Sequence, residues 1–494
     1  MLISGLALGA VLGFVMQRGR FCVTGFLRDI FTQRSWRGFV ALLIVISVHA
    51  IGLAALTSAG VITPEYNELA PVAVIVGGVI FGLGIVLAGG CASGTWYRSG
   101  EGLIGSWIAL VFYALSAAAM KTGFLGGLQN SLKDRTVGLT SIHASLGISI
   151  WPLVIALSAV TAYFAVRFLR EEFSGPRPVT LAPRKSGLAH ILAEKPWHVY
   201  ATAAIVGVLG VIAWPLSAAT GRNDGLGITT PSSNLANYVV TGDTERFDWG
   251  VLLVLGILVG SFIAAKASGE FRLRVPDATQ GARSVVGGIF MGVGAAWAGG
   301  CTVGNGMVQT SLFSYQGWLA LASIAAGVAI AAKLWLKPSA PSLNDVPSTP
   351  STTNDTAVSA TAPVASAATS PVSLPGSDSA GAAGTEASPL AGAFAVAPVA
   401  LLDRSVVKQE DGKLKPLGGG RYELDTVGAV CPFPLIEAKD AIGKIEIGEE
   451  LVIPFDCTQA TDAIPRWAAK DGHEVTNFEQ TGEAGWTISV RRGR

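Results

Sequence analysis

Nine stretches of almost unbroken apolar residues run through the first two thirds of the chain, at about 2–17, 38–58, 71–90, 103–120, 146–166, 199–216, 249–265, 284–299 and 317–336. Most come close to the ~20 residues with which a helix crosses a hydrocarbon layer of ~30 Å, and the first and eighth are short enough to read as half-helices. Residues 338–400 then change character. Pro, Ser, Thr and Ala dominate, and Lys and Arg are absent, which predicts a disordered linker with an end-to-end distance of roughly 40–48 Å. From about 404 the pattern becomes that of a charged α/β module. RYELDTVG (421–428) and EELVIPFD (449–456) read as strands, PFPLIEAKDAIGKI (432–445) and TQATDAIPRWAAKDG (458–472) as helices, and HEVTNFEQ and GWTISVRR as two closing strands. The expected architecture is a membrane all-α domain of about nine transmembrane helices over 1–336, a linker over 337–403, and an α/β two-layer sandwich of order βαβαββ over 404–494.

Composition supports the membrane reading. Half of the residues are apolar, 14% are charged and the mean hydropathy is +0.50, values that no soluble domain of this length needs. A net charge of +1 supplies no field for nucleic acid or an acidic partner, so the placement of charge matters more than its sum. Among alternate loops, 18–37, 91–102, 167–198 and 266–283 hold 16 Lys and Arg, while 59–71, 121–145, 217–247 and 301–316 hold 5. The positive-inside rule then places the first set in the cytoplasm, the N-terminus outside and everything after Lys337 inside. Residues 1–17 have neither a basic n-region nor an A-x-A site and are expected to stay as a membrane helix.

The third and eighth stretches also repeat one another. GGVIFGLGIVLAGGCASG (77–94) and GGIFMGVGAAWAGGCTVG (287–304) agree at nine of eighteen positions, and each closes an apolar helix with Gly-Gly-Cys. Five spans apart, the two copies run in opposite directions across the bilayer, the signature of inverted repeats. GGxxxG at Gly78/Gly82 and Gly288/Gly292 predicts close helix packing. Packing does not require Gly-Cys-x-x-Gly after the helix has ended, so the tips are expected to fold back as short re-entrant segments lining a cavity. A third thiol lies in RGRFCVTG (18–25), directly after the first span. Residues 255–271 echo that first segment faintly, with Arg272 where the cysteine would stand and the wrong parity for an inverted copy.

Five cysteines without a CxxC or a Cys/His pair at metal spacing point to separate thiols, with neither a metal site nor a cofactor motif. The five His are scattered and read as structural or interfacial. Cys91 and Cys301 mark the repeat tips, with Gly90 and Gly300 before them as accessory positions, and Cys22 follows the first span. In the C-terminal module, Cys431 stands before the first helix in Cys-Pro-Phe-Pro, with Pro432 expected at the first helical position. The free amides and positive dipole end of that helix would stabilise a thiolate and make Cys431 a nucleophile. Cys457 ends the second strand, where filler and function are equally open readings.

These motifs resemble known families. GAVCPFP and DCTQATDAIPRWAAKDGHEV look like the TusA/SirA-type sulfur-carrier fold, over nearly all of 420–494. RGRFC, GGCASG and GGCTVG resemble the YeeE/YedE family of thiosulfate permeases, over 1–336. The resemblance implies uptake of thiosulfate through the bacterial cytoplasmic (inner) membrane along a narrow path contacted by Cys22, Cys91 and Cys301. It further implies that Cys431 accepts sulfur in the chain's own carrier domain, which would pass it to a downstream acceptor protein. Other classes remain open: a transporter of another reduced sulfur or selenium species, a membrane thiol oxidoreductase cycling Cys91 and Cys301, or a sulfur sensor anchored in the membrane.

Overall fold

A computed structural model of the chain describes residues 2–336, 414–429 and 431–493. The expected linker and the expected start of the C-terminal module at 404 lie outside the described residues. The membrane part is helical throughout. In chain order it comprises α1 (Ile3–Arg18), α2 (Val23–Thr32), α3 (Arg37–Ser58), α4 (Pro71–Leu87), α5 (Ala92–Gly100) and α6 (Ile104–Lys121). The short α7 (Gly126–Lys133) and α8 (Ile142–Ser145) lead to α9 (Trp151–Ser174), and α10 (Gly187–Ala193) to α11 (Val199–Ala218) and α12 (Thr229–Thr241). Then come α13 (Trp249–Ser268), α14 (Ala278–Ala298), a π-helical turn (Gly304–Gln309) and α15 (Tyr315–Trp335).

Among the described residues, eight helices are long and apolar enough to cross a membrane, with α1–α2 and α4–α5 each counted as one 30-residue element. The expected nine included α14, which does not qualify. It extends the eighth apolar stretch backwards into Ala278–Ser284, whose Gln280, Arg283 and Ser284 lower its hydropathy.

Glycine sets the close packing. A Cβ on Gly77 would lie 2.7 Å from the carbonyl oxygen of Gly294, and one on Gly84 would lie 2.8 Å from that of Gly287. Gly77 corresponds in sequence to Gly287, and Gly84 to Gly294. Helices α4 and α14 are therefore antiparallel and exchange equivalent positions across their contact. Outside this pair the exchange continues. Gly78 and Gly82 seat α4 on Ala320, Ser323, Ile324 and Gly327 of α15, while Gly288 and Gly292 seat α14 on Ala109, Phe112, Tyr113 and Ser116 of α6. Helices α1 and α13 behave differently: Gly5 meets Trp249, Gly9 meets Leu253 and Gly13 meets Ile257. Contacts that advance together along both helices mean parallel packing, in keeping with the parity noted for their faint echo.

The C-terminal module is a five-stranded sheet with two helices, in the order β1 (Leu414–Gly418), β2 (Arg421–Leu424), α16 (Phe433–Ile442), β3 (Glu450–Phe455), α17 (Ala460–Asp471), β4 (Glu474–Gly482), β5 (Gly485–Arg491). The sheet runs β1-β2-β3-β5-β4, parallel only between β2 and β3. One strand more than expected is present. β1 pairs antiparallel with β2 through Gly418–Gly420, all three at positive φ, a turn that glycine adopts without a Cβ penalty. β3 alternates faces and buries Leu451, Ile453 and Phe455. Pro432 is not the first helical residue: it is the N-cap of α16, with Phe433 first and Pro434 second.

Candidate functional site

Three buried cysteines follow three similar breaks in the membrane helices. Arg20 (φ 49°), Gly89 (φ 71°) and Gly299 (φ 77°) each sit two residues before Cys22, Cys91 and Cys301. The left-handed residue stops the helix, and the chain re-enters at once as α2, α5 or the π-helical turn. Each cysteine also begins Cys-x-x-Gly, ending at Gly25, Gly94 and Gly304. Two of the breaks were legible as Gly-Gly-Cys. The first was not, because Arg20 and Phe21 occupy the glycine positions, and the shared Cys-x-x-Gly was the available signal.

All three thiols are free, and all three are at most 2% exposed. The structure brings Cys22 and Cys91 together: a Cβ on Gly94 would lie 3.3 Å from Cys91 Sγ and 3.8 Å from Cys22 Sγ. Cys91 also lies 3.5 Å from Ser93 Oγ. Cys301 arrives from the opposed copy, and on α6, against which that copy packs, the hydroxyl of Tyr113 donates to Thr229 Oγ1 at 2.8 Å. Two residues that carry no motif in the sequence fix the turns. Arg98 donates to the carbonyl of Gly89, next to Gly90, and Asn305 donates to the carbonyls of Ala298 and Gly300 at 2.8 and 3.0 Å. The hydroxyls of Thr24 and Thr302, close in sequence to Cys22 and Cys301, are buried without a partner among the described residues. Such a site offers thiols and hydroxyls, with two buried guanidiniums nearby that are engaged by protein oxygens, Arg98 by the Gly89 carbonyl and Arg28 by Asp29, and it suits a ligand with a polarisable atom and hydrogen-bond acceptors.

Cys22 opens onto a second region. It lines a cavity of about 450 Å³ that is also lined by Cys431 and Cys457 of the C-terminal module. Seven basic side chains line this cavity (Arg20, Arg28, Arg37, Lys195, Lys439, Arg466, Lys470) against three acidic ones (Asp29, Asp462, Asp471), which favours an anion inside it. The module is held there by polar contacts. Arg466 donates to Glu172 at 2.8 Å and to Asp462 at 2.9 Å, Arg37 reaches the same Glu172 at 3.2 Å, Arg20 contacts Thr461, and Arg274 contacts the carbonyl of Asp456. Burial would raise the Asp462 carboxyl, but Arg466 and Arg37 outweigh it and hold the group below its usual range. Burial likewise lowers Lys439 from the usual lysine range.

Cys431 lies where expected, in the loop before α16 and only partly buried. The expectation of a lone thiol there does not hold: the structure bonds Cys431 to Cys457, with Cα atoms 6.2 Å apart. No group of three or more His, Cys, Asp or Glu side chains that could hold a metal occurs among the described residues.

Comparison with known proteins adds a lineage. A family model described as Sulphur transport matches residues 18–330, and one described as Sulfurtransferase TusA matches residues 422–492. The chain is similar to the thiosulfate transporter TsuA of Escherichia coli K12, 51% identical over 328 residues, which cover 66% of this chain and 93% of that protein. It is also similar to the thiosulfate transporter TsuA of Spirochaeta thermophila, 32% identical over 337 residues, 65% of this chain and 94% of that protein. Its end is similar to a candidate sulfur carrier protein of Escherichia coli K12, TsuB, 59% identical over 70 residues, 14% of this chain and 93% of that protein.

Proposed function

Since this chain belongs to the sulphur-transport family and ends in a TusA-type domain, we propose that it takes up thiosulfate across the bacterial cytoplasmic membrane and passes sulfur to its own carrier domain. In this reading residues 1–336 form the permease, 337–403 a linker and 404–494 the carrier. The N-terminus is outside and the carrier in the cytoplasm, an arrangement that the placement of Lys and Arg supports with α14 taken as the ninth crossing. Cys22, Cys91 and Cys301 contact the substrate in the membrane, Gly90 and Gly300 shape the turns before two of them, and Cys431 is the sulfur-accepting nucleophile.

The observation that carries this reading is the cavity shared by Cys22 and Cys431 under a surplus of basic side chains. Thiosulfate is a dianion with a soft terminal sulfur. A path for it must offset desolvation without trapping it on a fixed cation. Thiols donate weakly to that sulfur, the hydroxyls of Thr24 and Thr302 suit the sulfonate oxygens, and the basic cavity receives the ion once it leaves the membrane. Sulfur transfer to Cys431 removes the imported ion and keeps uptake running.

Purified protein in proteoliposomes should accumulate radiolabelled thiosulfate, with sulfate and selenite competing poorly. Replacing Cys22, Cys91 or Cys301 by Ala should lower flux roughly tenfold or more, the order expected when one transition-state contact is lost, and thiosulfate should protect Cys91 and Cys301 from a small methanethiosulfonate reagent. Absence of accumulation by the unmodified protein would remove transport from the account, and unprotected thiols would remove those cysteines from the path.

A further inference from the structure

The fold itself builds the closeness of Cys431 and Cys457. Cys457 follows β3, which pairs with β2 on one side and β5 on the other. The loop carrying Cys431 is tied to the end of that strand by two contacts from outside the pair. Thr426 N donates to the carbonyl of Pro454 at 3.1 Å, and Gly428 N donates to Asp456 Oδ1 at 3.0 Å. The Cα separation of 6.2 Å falls in the range in which two cysteines join without moving the backbone. Their exposures differ. Both line the basic cavity, but Cys431 is partly open while Cys457 is 4% exposed and belongs to the core of the module. A filler cysteine has no need to sit within bonding reach of a nucleophile. A permanent structural disulfide would in turn be out of place in a reducing cytoplasm, where such pairs are transient.

We propose that Cys457 is a resolving thiol that converts sulfur captured on Cys431 into free hydrosulfide. The proposal rests on the reading above in which Cys431 accepts the terminal sulfur of thiosulfate. In the first step the Cys431 thiolate attacks that sulfur; the S–S bond of thiosulfate breaks, sulfite leaves with the electron pair, and Cys431 carries a persulfide. In the second step Cys457 attacks Sγ of Cys431. A new Cys431–Cys457 bond forms, the persulfide S–S bond breaks, and the outer sulfur leaves as hydrosulfide with the proton from Cys457. Sulfane sulfur is reduced to sulfide and the two cysteines are oxidised to the disulfide. A dithiol reductant, small or protein-borne, restores both thiols and becomes a disulfide itself. The C-terminal domain would thereby deliver sulfide as well as bound persulfide, and would draw on a cytosolic dithiol for each turnover.

The test is a single turnover of the full chain in detergent, fully reduced, freed of reductant and mixed with thiosulfate without oxygen. The unmodified protein should release one sulfite and one sulfide per chain and end with a Cys431–Cys457 disulfide in peptide mass spectra. Cys457→Ser and Cys457→Ala should still release sulfite but hold the Cys431 peptide one sulfur heavier, with sulfide lower by roughly tenfold or more. Two variants of different polarity guard against misfolding, and the disulfide in the unmodified protein needs no variant at all. A stable persulfide on the unmodified protein, with neither sulfide nor disulfide, overturns the resolving role while leaving Cys431 as acceptor. Sulfite release that survives Cys431→Ala overturns the acceptor reading instead.

Discussion

Gly94 is the residue on which the membrane thiols turn. It stands third in α5, where Ala would ordinarily favour the helix by about 1 kcal/mol. Its Cβ, however, would occupy the point that lies 3.3 Å from Cys91 Sγ and 3.8 Å from Cys22 Sγ. The closer distance is shorter than an ordinary carbon–sulfur contact, so one sulfur must shift by a few tenths of an ångström. Gly25 and Gly304 end the other two Cys-x-x-Gly runs, and their added Cβ would meet nothing nearer than 3.8 Å. Gly94→Ala should therefore fold and melt like the unmodified protein yet lose thiosulfate flux several-fold, whereas Gly25→Ala and Gly304→Ala should keep it. Flux in proteoliposomes and a thermal melt in detergent decide the matter. Equal flux in all three variants would mean that the space between Cys22 and Cys91 is not on the path.

At the level of elements, the α4/α14 contact is the most demanding. A Cβ on Gly294 would come 2.5 Å from the amide nitrogen of Phe81 and 2.6 Å from the carbonyl of Gly77, both backbone atoms that cannot step aside. Gly281, in the first turn of the same helix, has open space. Gly294→Ala should accordingly lower stability by about 1–3 kcal/mol, as overpacking does, and Gly281→Ala should not; melting of the two variants in detergent measures the difference. Similar melting would mean that the helices part without cost. This contact was half legible in the sequence. The repeat announced two copies and their opposite directions, since identity survives where only glycine fits. What the sequence withheld was physical detail that periodicity cannot carry. α2, α5 and the π-helical turn are too short to show a period, and the turn before Cys22 is made by Arg20 in a left-handed conformation that glycine would have advertised. β1 was missed because LKPLG carries too little alternation, and its partner is set by the glycine turn. Cys457 gave no sign of its partner, because pairing across 26 residues is decided by where β3 ends relative to the loop before α16.

The molecule as a whole depends on whether the C-terminal module stays seated over the opening at Cys22. Arg466 is the residue to question. From α17 it donates to Glu172 on α9 and to Asp462 on its own helix, while Arg37 on α3 closes the network from the membrane side. Isolated exposed pairs are worth little, but Arg466, Glu172 and Arg37 are partly buried, share partners with the exposed Asp462 and line or border the basic cavity. Arg466→Glu would set a carboxylate beside both Glu172 and Asp462, and juxtaposed like charges cost several kcal/mol at an interface. The module should then leave its seat. With the protein reduced, Cys431 should react several-fold faster with a charged alkylating reagent, because the membrane part no longer roofs it. Flux into vesicles should fall several-fold, because the ion emerging past Cys22 no longer meets its acceptor in the same cavity. Arg466→Lys, which keeps the charge but not the forked geometry, should fall between the two. If the Arg466→Glu protein imports thiosulfate and resists alkylation as the unmodified protein does, the seated arrangement is no part of the transport cycle, and the carrier domain meets its sulfur in solution.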